Sequence, residues 1–438
     1  MNLLIENFES ICIAIFMPAL LVIVGLNNYL FFHTGVEIFC IVISIVIFAT
    51  SVRTFRYSRN SFTLFLGYIY FFMGVLTFFH LTTYYGINIF KIDSPNIATQ
   101  FWIASKYFQA LALLIAATFI TTPIKKIPAF LVMLTTTAII IISIMLTEVF
   151  PTSFIAGRGL TPFNIISKYV ICFVLILSMI TLHRNKNCID GPCYRPVILS
   201  IIFTILAELT FTLYKGSYQF PNMAGYLLTM AAYYSVYWCV FSKGVVIPYH
   251  KLEISYDKTI EGWSKALELR DAETKGHSDR VVKATIELAK AYGIEEDKLV
   301  HIRRGALLHD IGKIGIPDSI LFKHGKLTDE EWKVMHKHPE YAYELLSTSP
   351  YLIPAIDIPY YHHEKWDGSG YPCRLSGKDI PIAARIFAIV DVWDALSSDR
   401  PYRKAWTKEQ IIDYIKSLSG IHFDPEIVKL FLEKIYEE

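Results

Sequence analysis

Eight apolar runs fill the first 242 residues, at 11–30, 35–52, 61–85, 101–121, 127–147, 163–182, 196–214 and 224–242. A helix crosses the hydrocarbon core in roughly 17 to 25 residues, so runs of this length restrict that half to a bundle of eight transmembrane helices. Charge follows the same division. Residues 1–242 hold 13 of the 41 Lys and Arg and 7 of the 39 Asp and Glu, leaving 28 and 32 for residues 243–438. At 438 residues and 53% hydrophobic, the chain reads as a lipid-embedded part followed by a water-soluble one.

The first run has neither a basic stretch before it nor a small-residue cleavage site after it, which predicts a retained helix and not a signal peptide. Arg53, Arg56 and Arg59 fall in the second loop, Lys125 and Lys126 in the fourth, and Arg184, Lys186 and Arg195 in the sixth. The intervening loops carry at most one Lys or Arg each, such as Lys91, Arg158 and Lys215. The positive-inside rule therefore places both termini and the soluble half in the cytoplasm. Loops on the other face are too short for a folded receptor domain, so a signal must be read within the membrane or at its outer lip. The acidic surplus beyond residue 242 argues against nucleic-acid binding. Seven scattered cysteines, with Cys12, Cys40, Cys172 and Cys239 in apolar runs, do not make a disulfide framework. Cys188 and Cys193 alone are too few for a closed zinc site.

Beyond Lys243 the pattern becomes amphipathic, with Ile260, Trp263 and Leu267 at spacings of three and four. Residues 252–270 read as the first helix of the soluble domain or as a connecting helix that pairs with its twin in a homodimer. Further helices are expected at 278–292, 297–311, 329–347, 381–397 and 407–418, with no strand pattern of useful length. The fold class is all-α throughout.

Three acids and five histidines recur along this half: Glu273, His277, His309, Asp310, His338, His362, His363 and Asp391. Glu273 and His277, four apart, would share one helix face. His309 and Asp310 end an apolar run, where buried ionisable groups are costly unless paired or bound to metal. His362 and His363 open HHEKWDGSGYP, in which a histidine pair and an acid run into a Gly-Tyr-Pro turn. Imidazoles mixed with carboxylates suit iron, manganese or zinc, and several such ions together activate water and clamp a phosphodiester. Each histidine alone is more often structural; the set with its acids is not. His301, His324 and His336, lacking a paired acid, read as surface residues, and His422 as part of a turn.

RDAETKGHSDRV, LLHDIGKIGIPD, KHP, HHEKWDGSGYP, DVWDALSSDRPYR and GIHFDP, in that order, resemble the HD-GYP family of bacterial cyclic di-GMP phosphodiesterases over residues 255–435. The resemblance implies an all-α HD-type phosphohydrolase with two or three divalent ions, iron or manganese, and a metal-bridged hydroxide as nucleophile. It implies metal ligands at His309, Asp310, His338, His362, His363 and Asp391, with Asp310 bridging two ions and Glu273 and His277 serving a third. Lys313 would face the scissile phosphate, Arg400 and Arg403 would grip the phosphates, and Gly368, Gly370, Tyr371 and Pro372 would shape the signature loop. Cyclic di-GMP would leave as linear pGpG or GMP. A related substrate, cyclic GMP-AMP, stays open, as does a non-catalytic nucleotide receptor on the same fold.

The membrane half, through FFHTGVEIF, FFHLTTYYG, QFWIASKYFQALALL, FIAGRGLTPFNIISKY and ILAELTFTLY, resembles membrane-associated sensor domains that precede bacterial signalling outputs. Its ionisable groups in apolar sequence, His33, Glu37, His80, Lys106 and Glu208, are expensive there and mark candidate sensing residues. The alternatives are interhelical hydrogen bonding and a transporter. The domain plan is thus a sensor over 1–242, a connecting helix over 243–270 and a phosphodiesterase over 255–438, set in the bacterial inner membrane.

Overall fold

The computed structural model describes residues 8–87, 89–91, 94–147, 149–189, 191–213, 220–271, 276–399 and 404–437. The chain divides into two compact units, residues 1–250 and 251–438.

Eight α-helices of at least 20 residues make up the described part of the first unit. They are α1 (Phe8–Asn27), α2 (Tyr29–Ser58), α3 (Ser61–Thr82), α4 (Pro95–Ala116), α5 (Lys126–Met145), α6 (Pro162–Arg184), α7 (Gly191–Thr212) and α8 (Phe220–Phe241). Six of them, α2 to α7, are long and apolar enough to cross a membrane by length and composition. The breaks are local and have chemical causes. Asn28 and Asn60 cap α2 and α3 by accepting the backbone N–H of Phe31 and Thr63, and Arg59 between them takes the left-handed conformation, φ 49°. Because Asn28 alone separates α1 from α2, the gap expected over 31–34 is helical, and His33 and Glu37 share a face of α2. Helix α2 packs on α3 and α8, α3 on α4, and α7 on α8. A two-residue antiparallel pair, Phe154–Ile155 with Gly159–Leu160, is the only strand pairing among the described residues.

A π-helical turn, Ser242–Val246, follows α8 and leads into α9 (Ile247–Asp271). Along α9 the Ile260, Ser264 and Leu267 face is buried, whereas Leu252, Tyr256 and Trp263, spaced four and seven apart, are exposed. The second unit continues with α10 (His277–Tyr292), α11 (Glu296–Leu307), a 3₁₀ turn (Ile311–Gly315), α12 (Asp318–Leu321), α13 (Asp329–Met335), α14 (His338–Ser347), α15 (Asp357–Tyr361), α16 (Ile382–Ser397), α17 (Lys408–Ser417) and α18 (Pro425–Glu437). Its main core joins Val281 and Leu288 of α10 to Ile386, Phe387, Ile389 and Val390 of α16 and to Ile427 and Phe431 of α18.

Two expected helices are shorter than the periodicity suggested. The helix expected over 297–311 ends at Leu307, and His309 and Asp310 sit in the bend between it and the 3₁₀ turn, with Asp310 at that turn's N-cap. The segment 329–347 breaks at His336 and Lys337, because Pro339 in the first turn of α14 supplies no N–H and disfavours helix before it.

Candidate metal centre

Asp310 is the hub. Its Oδ2 lies 3.1 Å from His309 Nε2 and 2.7 Å from Lys313 Nζ, and its Oδ1 lies 3.4 Å from His338 Nε2 and 3.9 Å from His362 Nε2. Asp310, His338, His362 and His363 bring ligand atoms within 4.8 Å of one another, and His277, His309 and Asp391 form a second such group. His277 Nε2 is 3.6 Å from Asp391 Oδ1. The contact between His309 and Asp310 joins the two groups.

The backbone dictates which nitrogen of each ring faces inward. His309 Nδ1 donates to Ala306 O at 2.9 Å, His338 Nδ1 to Met335 O at 2.9 Å and His362 Nδ1 to Ile358 O at 3.0 Å. Each neutral ring therefore presents a bare Nε2 lone pair to the centre. His338 Nε2 and His362 Nε2 stand 3.5 Å apart. Two lone pairs at that distance repel unless a cation lies between them. For metal–nitrogen bonds of roughly 2.0–2.1 Å, the edge of a tetrahedral ligand shell is about 3.4 Å, close to the spacing found. The donor set thus fits divalent ions.

Electrostatics prepare the same state. Burial opposes ionisation of Asp310, but the Lys313 ammonium beside it holds its carboxyl well below the usual carboxylate range. Burial also pushes His338 below 6.5, and His362 well below it, so both imidazoles are neutral. His277 is oriented from behind: its Nδ1 meets Asp394 Oδ2 at 2.8 Å, and Arg280 clamps the same carboxylate at 2.6 and 2.9 Å. A carboxylate behind a metal-facing imidazole fixes its ring and raises its basicity.

Close backbone approach assembles these pieces. A Cβ on Gly312 would lie 1.8 Å from His338 O and 2.7 Å from Ala342 N, so only glycine lets the 3₁₀ turn carrying Asp310 and Lys313 rest on α14. In the signature loop, a Cβ on Gly370 would meet Lys365 N at 2.4 Å, and Gly368 has φ 82°. The buried Glu364 carboxylate accepts Cys373 N at 2.6 Å and Leu375 N at 3.0 Å, closing the loop on itself. Tyr371, joined to Pro372 by a cis peptide, is sandwiched between His363 at 4.8 Å and His336 at 4.0 Å. Trp366 N and Asp367 N donate to His422 O and Ile421 O, which ties the loop to the GIHFDP turn.

Seven of the eight expected ligands converge; Glu273, with Arg400 and Arg403, lies outside the described residues. The one-turn relation expected between Glu273 and His277 therefore also falls outside the described residues, which resume with Gly276 at φ 77° and α10 starting at His277. His336 is exposed, as expected, yet its ring stacks on the signature tyrosine. The sequence assigns no separate role to Asp394, Arg280, Glu364 or Gly312. A signal existed for Asp394, which lies three residues after Asp391 and so on the same helix face. In the first unit, His33, Glu37 and His80 come together as a third group. Glu208 is buried there too, with Lys168 and Lys106 as neighbouring charges.

Residues 24–248 match the MASE3 family, a membrane-associated sensor domain, and residues 262–427 match an HD domain family. The 3'3'-cGAMP-specific phosphodiesterase 2 of Vibrio cholerae is 48% identical over 172 residues, covering 39% of this chain and 33% of that protein. The cyclic di-GMP phosphodiesterase response regulator RpfG of Xanthomonas campestris is 43% identical over 177 residues, covering 40% and 47%. A cyclic di-GMP phosphodiesterase of Thermotoga maritima is 44% identical over 168 residues, covering 38% and 46%. The chain spans less than half the length of each of these relatives. With more than half of its length in the first match, the chain belongs to the MASE3 membrane-associated sensor family, here followed by an HD domain.

Proposed function

We propose that the protein is a membrane-bound sensory phosphodiesterase that hydrolyses cyclic di-GMP to linear pGpG, GMP or both. The observation that carries this reading is the pair of ligand groups joined at Asp310 with Lys313 Nζ beside them. Divalent ions held there, iron or manganese, two or three in number, would supply water activation and charge neutralisation at a phosphodiester. The chain's own part is to hold Asp310 ionised and the imidazoles neutral. Lys313 is positioned to stabilise charge developing on phosphoryl oxygens. Arg400 and Arg403 would grip the phosphates, Glu273 would complete a third metal position, and the loop Gly368–Gly370–Tyr371–Pro372 would form a wall against the nucleotide.

The same reading places all eight helices α1 to α8 across the bacterial inner membrane, with both termini and the second unit in the cytoplasm. His33, Glu37, His80 and Glu208 would be the sensing residues of a domain spanning 1–242. Residues 243–270 would connect it to a phosphodiesterase over 255–438 and pair with a second copy; the exposed stripe Leu252, Tyr256 and Trp263 supports this homodimer. A second substrate, cyclic GMP-AMP, is favoured by the name of the Vibrio cholerae relative at 48% identity.

Both nucleotides are offered to the full chain in detergent, and products are separated by chromatography. Turnover that disappears in Asp310→Ala supports the proposal, and the faster nucleotide names the substrate. Binding of cyclic di-GMP without any such turnover would convert the second unit into a receptor module.

A further inference from the structure

The trio in the first unit repeats the metrics of the soluble centre. His33 and Glu37 stand one turn apart on α2, and His80 comes from the last turn of α3. All three are buried, at 0%, 2% and 4% exposure, and their ligand atoms lie within 4.8 Å of one another. His80 Nδ1 is 2.7 Å from Ala98 O, so that nitrogen carries the proton and Nε2 is a bare lone pair in the neutral ring. That lone pair faces His33 Nε2 at 3.3 Å and Glu37 Oε1 at 3.9 Å. The soluble centre shows 3.5 Å between His338 and His362, and 3.4 and 3.9 Å from these to Asp310.

A hydrogen bond between the two rings is the rival account. It requires His33 to be protonated on Nε2, which leaves Nδ1 an acceptor, and that atom is buried with no hydrogen-bond partner among the described residues. A cation between the rings engages both Nε2 atoms and the carboxylate together, although Nδ1 then remains as an unpaired N–H. The walls are aromatic: Tyr84 stacks on His33 at 3.8 Å, and Trp102 lies 5.3 Å from His80. Lys106, over the Trp102 ring at 4.6 Å, is the competing positive charge.

We propose that His33, Glu37 and His80 bind a divalent transition metal ion of the zinc, iron or copper class, for which two imidazoles and a carboxylate are suited. This deepens the sensor reading and rests on it for the site's purpose; occupancy is measured without reference to hydrolysis, so the two can fail separately.

The full chain in detergent is stripped with chelator and reloaded with Co²⁺, and ions per chain are counted by elemental analysis. Wild type should hold one ion more than His33→Gln, Glu37→Gln or His80→Gln, with the ions of the second unit retained. His80→Cys should keep the count and add a thiolate-to-cobalt charge-transfer band, and Lys106→Met should tighten binding. Equal counts in wild type and folded glutamine variants would overturn the proposal. Should those variants aggregate, the absence of the band in His80→Cys decides against it.

Discussion

Gly312→Ala tests the assembly of the metal centre of the second unit with the smallest available perturbation. The added methyl would sit 1.8 Å from the His338 carbonyl oxygen, well inside the 3.0 Å that real Cβ contacts essentially never breach, so a gap of 1.2 Å must open. Both atoms it meets first, His338 O and Ala342 N, are backbone and cannot rotate away. Overpacking of this kind costs about 1–3 kcal/mol, and rigid neighbours put this site at the upper end. For a unit of 188 residues (251–438), about 3 kcal/mol corresponds to a fall of roughly 6–12 °C in its unfolding midpoint. The same opening moves Asp310 and Lys313 away from His338. A misplacement of about 1 Å at reacting groups costs on the order of 100-fold in turnover. The full chain in detergent is assayed for thermal unfolding, bound metal and cyclic di-GMP hydrolysis. Gly262→Ala, where a Cβ meets nothing within 4 Å on helix α9, is the control and should be neutral or stabilising by up to about 1 kcal/mol. A Gly312→Ala protein that melts with wild type and keeps its metal and activity would refute the packing argument.

Asp394→Asn should weaken metal retention by about 10- to 100-fold while leaving the chain folded, because His277 loses its orienting carboxylate; dialysis against graded chelator followed by elemental analysis reads this. Glu364→Gln should destabilise the signature loop by about 2 kcal/mol through loss of two charge-assisted hydrogen bonds, and KM should rise with the metal count unchanged. Burial, with Lys365 nearby, lowers His422 from 6.5 to about 4. The unfolded chain therefore binds a proton that the folded chain refuses: stability is full above pH 6.5 and declines towards pH 4, by up to about 2 kcal/mol at pH 5. His422→Gln should flatten that part of the profile in denaturant titrations, and an unchanged profile would assign the loss elsewhere. Trp263→Glu on the exposed stripe of α9 should shift the chain from dimer to monomer in light scattering; an unaltered mass would remove α9 from the interface.

The sequence makes the residues of the centre legible because their chemistry is local: a histidine beside an acid at the end of an apolar run has few other uses. Long apolar runs likewise announce the helices of the first unit. What escapes is what depends on distant partners. Gly312 looks like one more small residue in an apolar stretch until α14 arrives 26 residues later to press on it. Glu364 follows the histidine pair with no role assigned to it by the sequence, and only the fold shows its carboxylate accepting two backbone N–H groups. His336 is solvent-exposed by every local criterion, yet the returning loop lays Tyr371 on its ring. Helix α18 is not among the helices expected from the sequence, although its Ile427 and Phe431 form part of the main core.

The three histidines tethered by Nδ1 to Ala306, Met335 and Ile358 owe their positions to main-chain carbonyls, and these exist whether or not an ion is present. Such tethers would let loading follow folding, unlike small domains that unfold when their zinc is removed, and a stripped protein that keeps its helical content and cooperative melting would bear this out. A cell short of the right metal would accumulate an intact but idle protein, ready to resume on resupply without new synthesis. Metal availability would then act as an input of its own, alongside whatever the lipid-embedded half detects.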